Sequence, residues 1–90
     1  MVLEPDILER IRSDFSAEEF EPAIGAMGVY SGPELSRVLR CIVYLSEGTL
    51  AKLRHFLEVA QLDYRDVIVC AEYDRRDQRV RDFTRGFPRA

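Results

Sequence analysis

The side chains with the most chemical potential in this 90-residue sequence crowd into one stretch: His55, Glu58, Asp63, Tyr64, Arg65, Asp66, Glu72 and Tyr73. His55 and Glu58 are three apart, so on a helix they share a face, the spacing that two metal ligands would need. Two ligands do not close a site, and a third would have to come from Asp63 or Asp66 at the next helix start. A surface histidine making local ion pairs accounts for the same residues with fewer demands. A nucleophile and base pair would have to use Cys41 or Cys70 with the single histidine. Both cysteines sit inside apolar runs, 29 positions apart and without metal-ligand spacing, so both are expected to be buried, reduced and inert. Gly25, Gly28 and Gly32 are scattered and no Lys-Ser or Lys-Thr follows them, so no phosphate-cradling loop is present. No catalytic residue, metal or cofactor is therefore expected, and the chain reads as non-enzymatic.

Asp63-Tyr64-Arg65-Asp66 is the densest polar cluster. It has a sufficient structural explanation as a helix start, with Asp63 as cap, acids in the first turn and Leu62 placed to staple Val67. Its functional alternative is a recognition surface, since Tyr and Arg are the residues that most often anchor interfaces.

Basic residues raise a different chemistry. Arg37, Arg40, Lys52, Arg54 and the tail arginines Arg75, Arg76, Arg79, Arg81, Arg85 and Arg89 could line a track for nucleic-acid phosphates. The charge distribution opposes this. Residues 1–36 hold eight acids and two bases, residues 37–73 balance, and residues 74–90 hold six arginines against three aspartates, for a net charge of −3. Nucleic acid is therefore the weaker reading. The acidic front and basic end are expected to lie near each other, in one chain or across a dimer.

The elements that must position these groups are helical. Ile7, Leu8 and Ile11 mark a short amphipathic helix from Pro5 to Asp14. Ser16 and Glu19 form a capping box, and Phe15 can pack on Phe20. Pro22 then predicts a kinked or split second helix. Ser31 or Gly32 is the expected cap of a third helix over Pro33–Ser46, with Leu35, Leu39, Ile42 and Leu45 facing the core. Gly48 ends that helix and Thr49 caps the next. From there Leu50, Leu53, Leu57, Ala60, Tyr64, Val67 and Ala71 keep a 3-4 alternation through Tyr73, most simply as two helices jointed at Gln61–Asp63. A strand over Val67–Cys70 competes, but strict alternation fails there. The fold class is all-α: a four- to five-helix bundle or orthogonal array over a single domain 1–90, its core completed by Leu53, Leu57, Val67, Ile68 and Ala71.

Residues 74–90 form a charged tail in which the Asp77 and Arg81 pair could prolong a helix. Phe83 and Phe87 need an apolar surface, on their own domain, on a second subunit or on another protein. The longest apolar runs, Cys41–Leu45 and Val67–Ala71, fall far short of the roughly 20 residues of a membrane span. The acidic start, Met-Val-Leu-Glu-Pro-Asp, lacks a secretory pattern, so the cytoplasm is the expected setting.

The stretch LAKLRHFLEVAQLDYRDVIVCAEY, Leu50–Tyr73, resembles the C-terminal half of small bacterial proteins of unassigned function in which LxxLR, DYRDV and AEY recur. The resemblance covers about a quarter of the chain and implies a helical fold in a bacterial cytoplasm, with no activity, cofactor or catalytic residue attached. The expected role is a protein-interaction or accessory module, with a protein partner or a second copy meeting Asp63, Tyr64, Arg65, Asp66, Phe83 or Phe87.

Overall fold

In the computed structural model, which describes residues 3–87, four helices follow one another: α1 (Pro5–Asp14), α2 (Ala17–Met27), α3 (Leu35–Ser46) and α4 (Leu50–Glu72). A 3-10 turn, Phe83–Arg85, closes the described chain. There are no strands among the described residues, only one isolated antiparallel bridge between Tyr73 and Arg79. Among them no helix is long and apolar enough to cross a membrane.

Helix α1 starts on Pro5, whose fixed φ suits a first turn. It buries Ile7 and Ile11 and half-buries Leu8. Half of the expected capping box of α2 forms: Ser16 Oγ accepts from the Glu19 backbone N–H at 3.2 Å, while the Glu19 carboxylate takes the Ser16 hydroxyl, also at 3.2 Å, in place of the Ser16 backbone N–H. Pro22 does not split α2, which runs unbroken to Met27. One missing N–H costs one bond near the helix start, and burial of Ala23 and Met27 just after it offsets the loss.

Helix α3 begins at Leu35, two residues later than the sequence signals predict. Glu34, not Ser31 or Gly32, precedes it in a left-handed conformation, φ +51°, and its carboxylate takes Arg37 at 3.1 Å. Pro33 belongs to the turn, where its carbonyl accepts from the Tyr30 hydroxyl at 2.6 Å. This late start leaves Leu35 38% exposed. Leu45 is only half-buried, while Val38, Leu39, Cys41, Ile42 and Val43 are buried around much of the helix circumference.

Thr49 sits at the N-cap of α4 without capping it through its side chain; its hydroxyl donates to the Ser46 carbonyl at 3.0 Å. The α3–α4 reversal passes through two left-handed residues, Glu47 at φ +51° and Gly48 at φ +76°. Gly48 is required there on two counts, since a Cβ would also lie 2.4 Å from the Asp14 carbonyl oxygen. The turn is thereby seated on the end of α1. Helices α3 and α4 form the largest helix pair, burying Leu53, Leu57, Ala60, Val67, Ile68 and Ala71 of the α4 seam.

Helix α4 is jointed where the sequence places the joint. Asp63 alone leaves helical geometry, at φ −156° and ψ 101°. Leu62, expected to staple Val67, is instead 90% exposed. Cys70 is exposed, against expectation. It precedes seam residue Ala71 by one position, about 100° around the helix, which turns it away from the core.

Beyond Tyr73 the chain does not prolong a helix. Asp74 accepts backbone N–H groups of Arg76 and Gln78 at 2.8 and 3.1 Å, which makes a tight turn and sends the tail back across the bundle. Asp77 and Arg81 form no ion pair. The radius of gyration, 12.1 Å, matches the roughly 12 Å of a folded domain of this length, as a folded-back tail requires. Pro88 and Arg89 lie outside the described residues.

Candidate functional site

Two places concentrate polar side chains, and they differ in kind. The first is a buried ionic cluster that fastens the tail. Glu72, near the end of α4, is fully buried. Arg37 of α3 grips its carboxylate with two bonds of 2.8 Å, Arg79 Nε donates to it at 3.0 Å, and the Phe83 backbone N–H donates at 3.3 Å. The Glu72 carbonyl also accepts from Val80 N at 2.7 Å. Burial alone would push this carboxyl up, but the Arg37 contacts, the Phe83 N–H and Arg79 outweigh it and hold the pKa below the ordinary value.

Arg40, one turn after Arg37 and 6% exposed, does the same for the other end of the tail. Its Nε donates to Asp6 at 2.8 Å, its Nη1 to the Phe83 carbonyl at 3.0 Å, and its Nη2 to Glu4. Asp6 in turn accepts the Phe87 backbone N–H at 3.1 Å. Its carboxyl is held below the ordinary range, chiefly by the Arg40 bond. Phe83, 3% exposed, lies 5.4 Å from the rings of both Tyr44 and Phe87. Arg10 sits over Phe87 at 4.9 Å and Arg81 over Tyr44 at 4.6 Å. Thus the tail lies on its own domain. Phe83 is core and Phe87 half-buried, both engaged within the chain.

The acidic front and the basic tail do approach, but through an intermediary. Arg40 of α3 carries the acids of α1, and the tail arginine Arg79 turns to Glu72 and to Asp82 at 2.8 Å. Cys41 borders this cluster. Burial, reinforced by the Glu72 charge, pushes its thiol up to about 12, so it is not a nucleophile at neutral pH.

The second place is the α4 joint. The Asp63 carboxylate caps the second half of α4 by accepting Arg65 N at 3.1 Å, and it holds the Arg65 guanidinium at 3.0 Å. These contacts hold its pKa low. Gln61 Nε2 donates to the Val29 carbonyl at 3.1 Å, tying the joint to the end of α2. Between them lies an open cleft of about 580 Å³, walled by Val29, Tyr30, Pro33, Gln61 and Tyr64. Tyr30 is buried, and burial pushes its hydroxyl pKa up. Leu62 and Val29, 90% and 55% exposed, stand at the cleft. Asp66 is exposed on the following turn. A second groove of about 530 Å³ continues along α4, lined by Pro22, Gly25 and Ala26 on one side and Arg54, Leu57 and Glu58 on the other.

The structure therefore keeps Asp63, Tyr64, Arg65 and Asp66 together and separates them from Glu72, which turns inward. His55 lies edge-on to Phe56 at 5.0 Å. Among the described residues, no three His, Cys, Asp or Glu are grouped as metal ligands. Sequence reasoning missed the roles of Arg37, Arg40 and Glu72. The signal was present: two arginines three apart inside an otherwise largely apolar helix, and an acid one position past the seam residue Ala71. No protein-family model, curated protein or solved structure matches the chain.

Proposed function

We propose that this chain is a non-enzymatic protein-interaction module of a bacterial cytoplasm that presents the α4 joint, and the groove beside it, to a protein partner. The observation that carries this is Leu62, 90% exposed at the one non-helical residue step of α4 and ringed by Gln61, Asp63 and Arg65. An apolar anchor with a polar rim beside a cleft is the makeup of an interface hot spot. The second aromatic candidate, the Phe83 and Phe87 tail, is used inside the chain, so the docking role falls to the joint. The phosphate-track alternative loses its best members: Arg37, Arg40 and Arg79 are committed to carboxylates.

The test is affinity capture from the native cell with the full chain, its Leu62→Asp variant and a Val69→Asp control, since Val69 is also exposed (51%) but lies away from the joint. A partner, including a second copy, retained by wild type and control and lost with Leu62→Asp supports the assignment. Capture that ignores Leu62, or a chain that neither self-associates nor holds any partner, refutes it.

A further inference from the structure

Between Leu50 and Leu62, α4 is regular helix and turns Ala51, Arg54, Glu58 and Gln61 outward, all exposed. At 3.6 residues per turn these four positions fall on one stripe. Arg54 and Glu58 are one turn apart, yet among the described residues neither forms an ion pair. The groove beside them is shallow and partly apolar, and at Gly25 nothing lies within 4 Å of where a Cβ would stand, so another helix can come close.

The order of charges along this stripe is self-complementary. Reversing it about a point midway between Arg54 and Glu58 exchanges Arg54 with Glu58 and Ala51 with Gln61. Both charged positions of the stripe thus meet their opposites, and the small Ala51 faces the longer Gln61. A two-fold dimer interface demands this symmetry of one surface, because each patch must match itself. A parallel arrangement would set Arg54 on Arg54 and Glu58 on Glu58. An unrelated partner places no such requirement on the stripe.

We propose that the occupant of the α2–α4 groove is a second copy of this chain, its α4 antiparallel about a two-fold axis between Arg54 and Glu58. This rests on the interaction-module assignment and names the partner. Two Arg54 to Glu58 pairs form across the axis, Leu62 of each copy comes to the Leu50 end of the other, and Pro22 of each α2 and Val29 just beyond that helix flank the contact.

Sedimentation equilibrium of the full chain, from micromolar to about millimolar at low salt, reads the dissociation constant. Wild type is expected to approach twice 10.4 kDa. Arg54→Glu and Glu58→Arg each create two like-charge contacts and are expected to weaken dimerisation about tenfold or more. The double variant R54E/E58R restores opposite charges and is expected to recover to within about threefold of wild type. Both residues are exposed, so unchanged helical circular dichroism separates lost pairing from lost folding. A chain that stays monomeric throughout, single swaps without effect, or a double swap without rescue overturns the proposal. A monomer that still holds another protein in a Leu62-dependent way overturns self-pairing alone and leaves the module assignment standing.

Discussion

Replacing Glu72 with Gln removes one charge from a site with no access to water, and the structure sets the size of the effect. Arg37 loses the anion that takes two of its bonds at 2.8 Å, and its side chain is 19% exposed. Removing one partner of a buried ion pair costs roughly 3–5 kcal/mol, because the other charge stays desolvated. Two features lower that figure here: Arg37 keeps Glu34 at 3.1 Å, and Arg79 is 41% exposed and keeps Asp82 at 2.8 Å. The expected loss is therefore about 3 kcal/mol. In a domain of this length that is a fall in Tm of roughly 12–24 °C, a large part of a total stability of about 5–13 kcal/mol. Urea unfolding followed by circular dichroism gives the free energy, and hydrogen exchange at the Phe83 amide reports whether the tail stays docked. The variant is expected to release Phe83 before global unfolding. The same carboxyl sets the acid limit. Its folded pKa lies below the ordinary 4.5, so its contribution is complete above about pH 5 and is lost as pH falls through the folded value. In Glu72→Gln that part of the acid dependence should vanish. A loss under about 1 kcal/mol, or an unchanged acid profile, would refute the view that this cluster fastens the tail.

Three further perturbations probe neighbouring joints. Phe83→Ala deletes a ring that is 3% exposed between Tyr44 and Phe87 and should cost about 3 kcal/mol in urea unfolding; Phe87→Ala, half-buried, should cost less, and the reverse order would place the wrong aromatic in the core. Gly48→Ala must hold φ +76° with its Cβ 2.4 Å from the Asp14 carbonyl oxygen, so a loss of about 2 kcal/mol or more is expected, and a neutral result would mean that the α3–α4 turn is not seated on α1. Thiol titration at pH 8 should modify Cys70 alone in the native chain and both cysteines in denaturant, because burial raises Cys41 to about 12; equal native rates would contradict the buried placement.

Why some of this was legible in the residues, and some not, follows from the range of each interaction. The 3-4 spacing from Leu50 to Ala71 reports one helix face, and that face is buried at Leu53, Leu57, Ala60, Val67 and Ala71 and half-buried at Leu50 and Tyr64. The joint at Asp63 was readable because a cap is local: one carboxylate, two residues from the N–H it accepts. The start of α3 was misplaced for the converse reason. Pro33 is compatible with a first turn, but its carbonyl is taken by Tyr30 and the reversal needs Glu34 in a left-handed conformation, neither of which propensity registers. Cys70 was misassigned by one step of helical phase. Asp74, not the Asp77 and Arg81 spacing, decided the path of the tail, since its carboxylate closes a turn that stops the helix. At the joint, the sequence expects Leu62 to staple Val67, and the structure leaves it exposed.

The buried arginines mark the deeper limit. Hydropathy counts Arg37 and Arg40 as solvent-facing, and the charge gradient along the chain suggests that acids of the front attract arginines of the tail. The structure inserts α3 between them. Arg40 gathers Asp6 and Glu4 on one side and the Phe83 carbonyl on the other, and Arg37 meets Glu72, which in turn takes Arg79. A planar guanidinium with five donors in a fixed fork joins two segments in a more defined geometry than a lysine's rotatable ammonium, so two arginines one turn apart suffice to tie the front and the tail to one helix. The tail aromatics and the α3 arginines are consumed in closing the fold, while the exposed residues of α4 include the stripe Ala51, Arg54, Glu58 and Gln61 leading to Leu62. The interior network and the proposed docking face are thus complementary uses of one composition: Arg37 and Arg40 hold their acids inside the fold, and Arg54 and Glu58, unpaired among the described residues, lie where another chain can reach them.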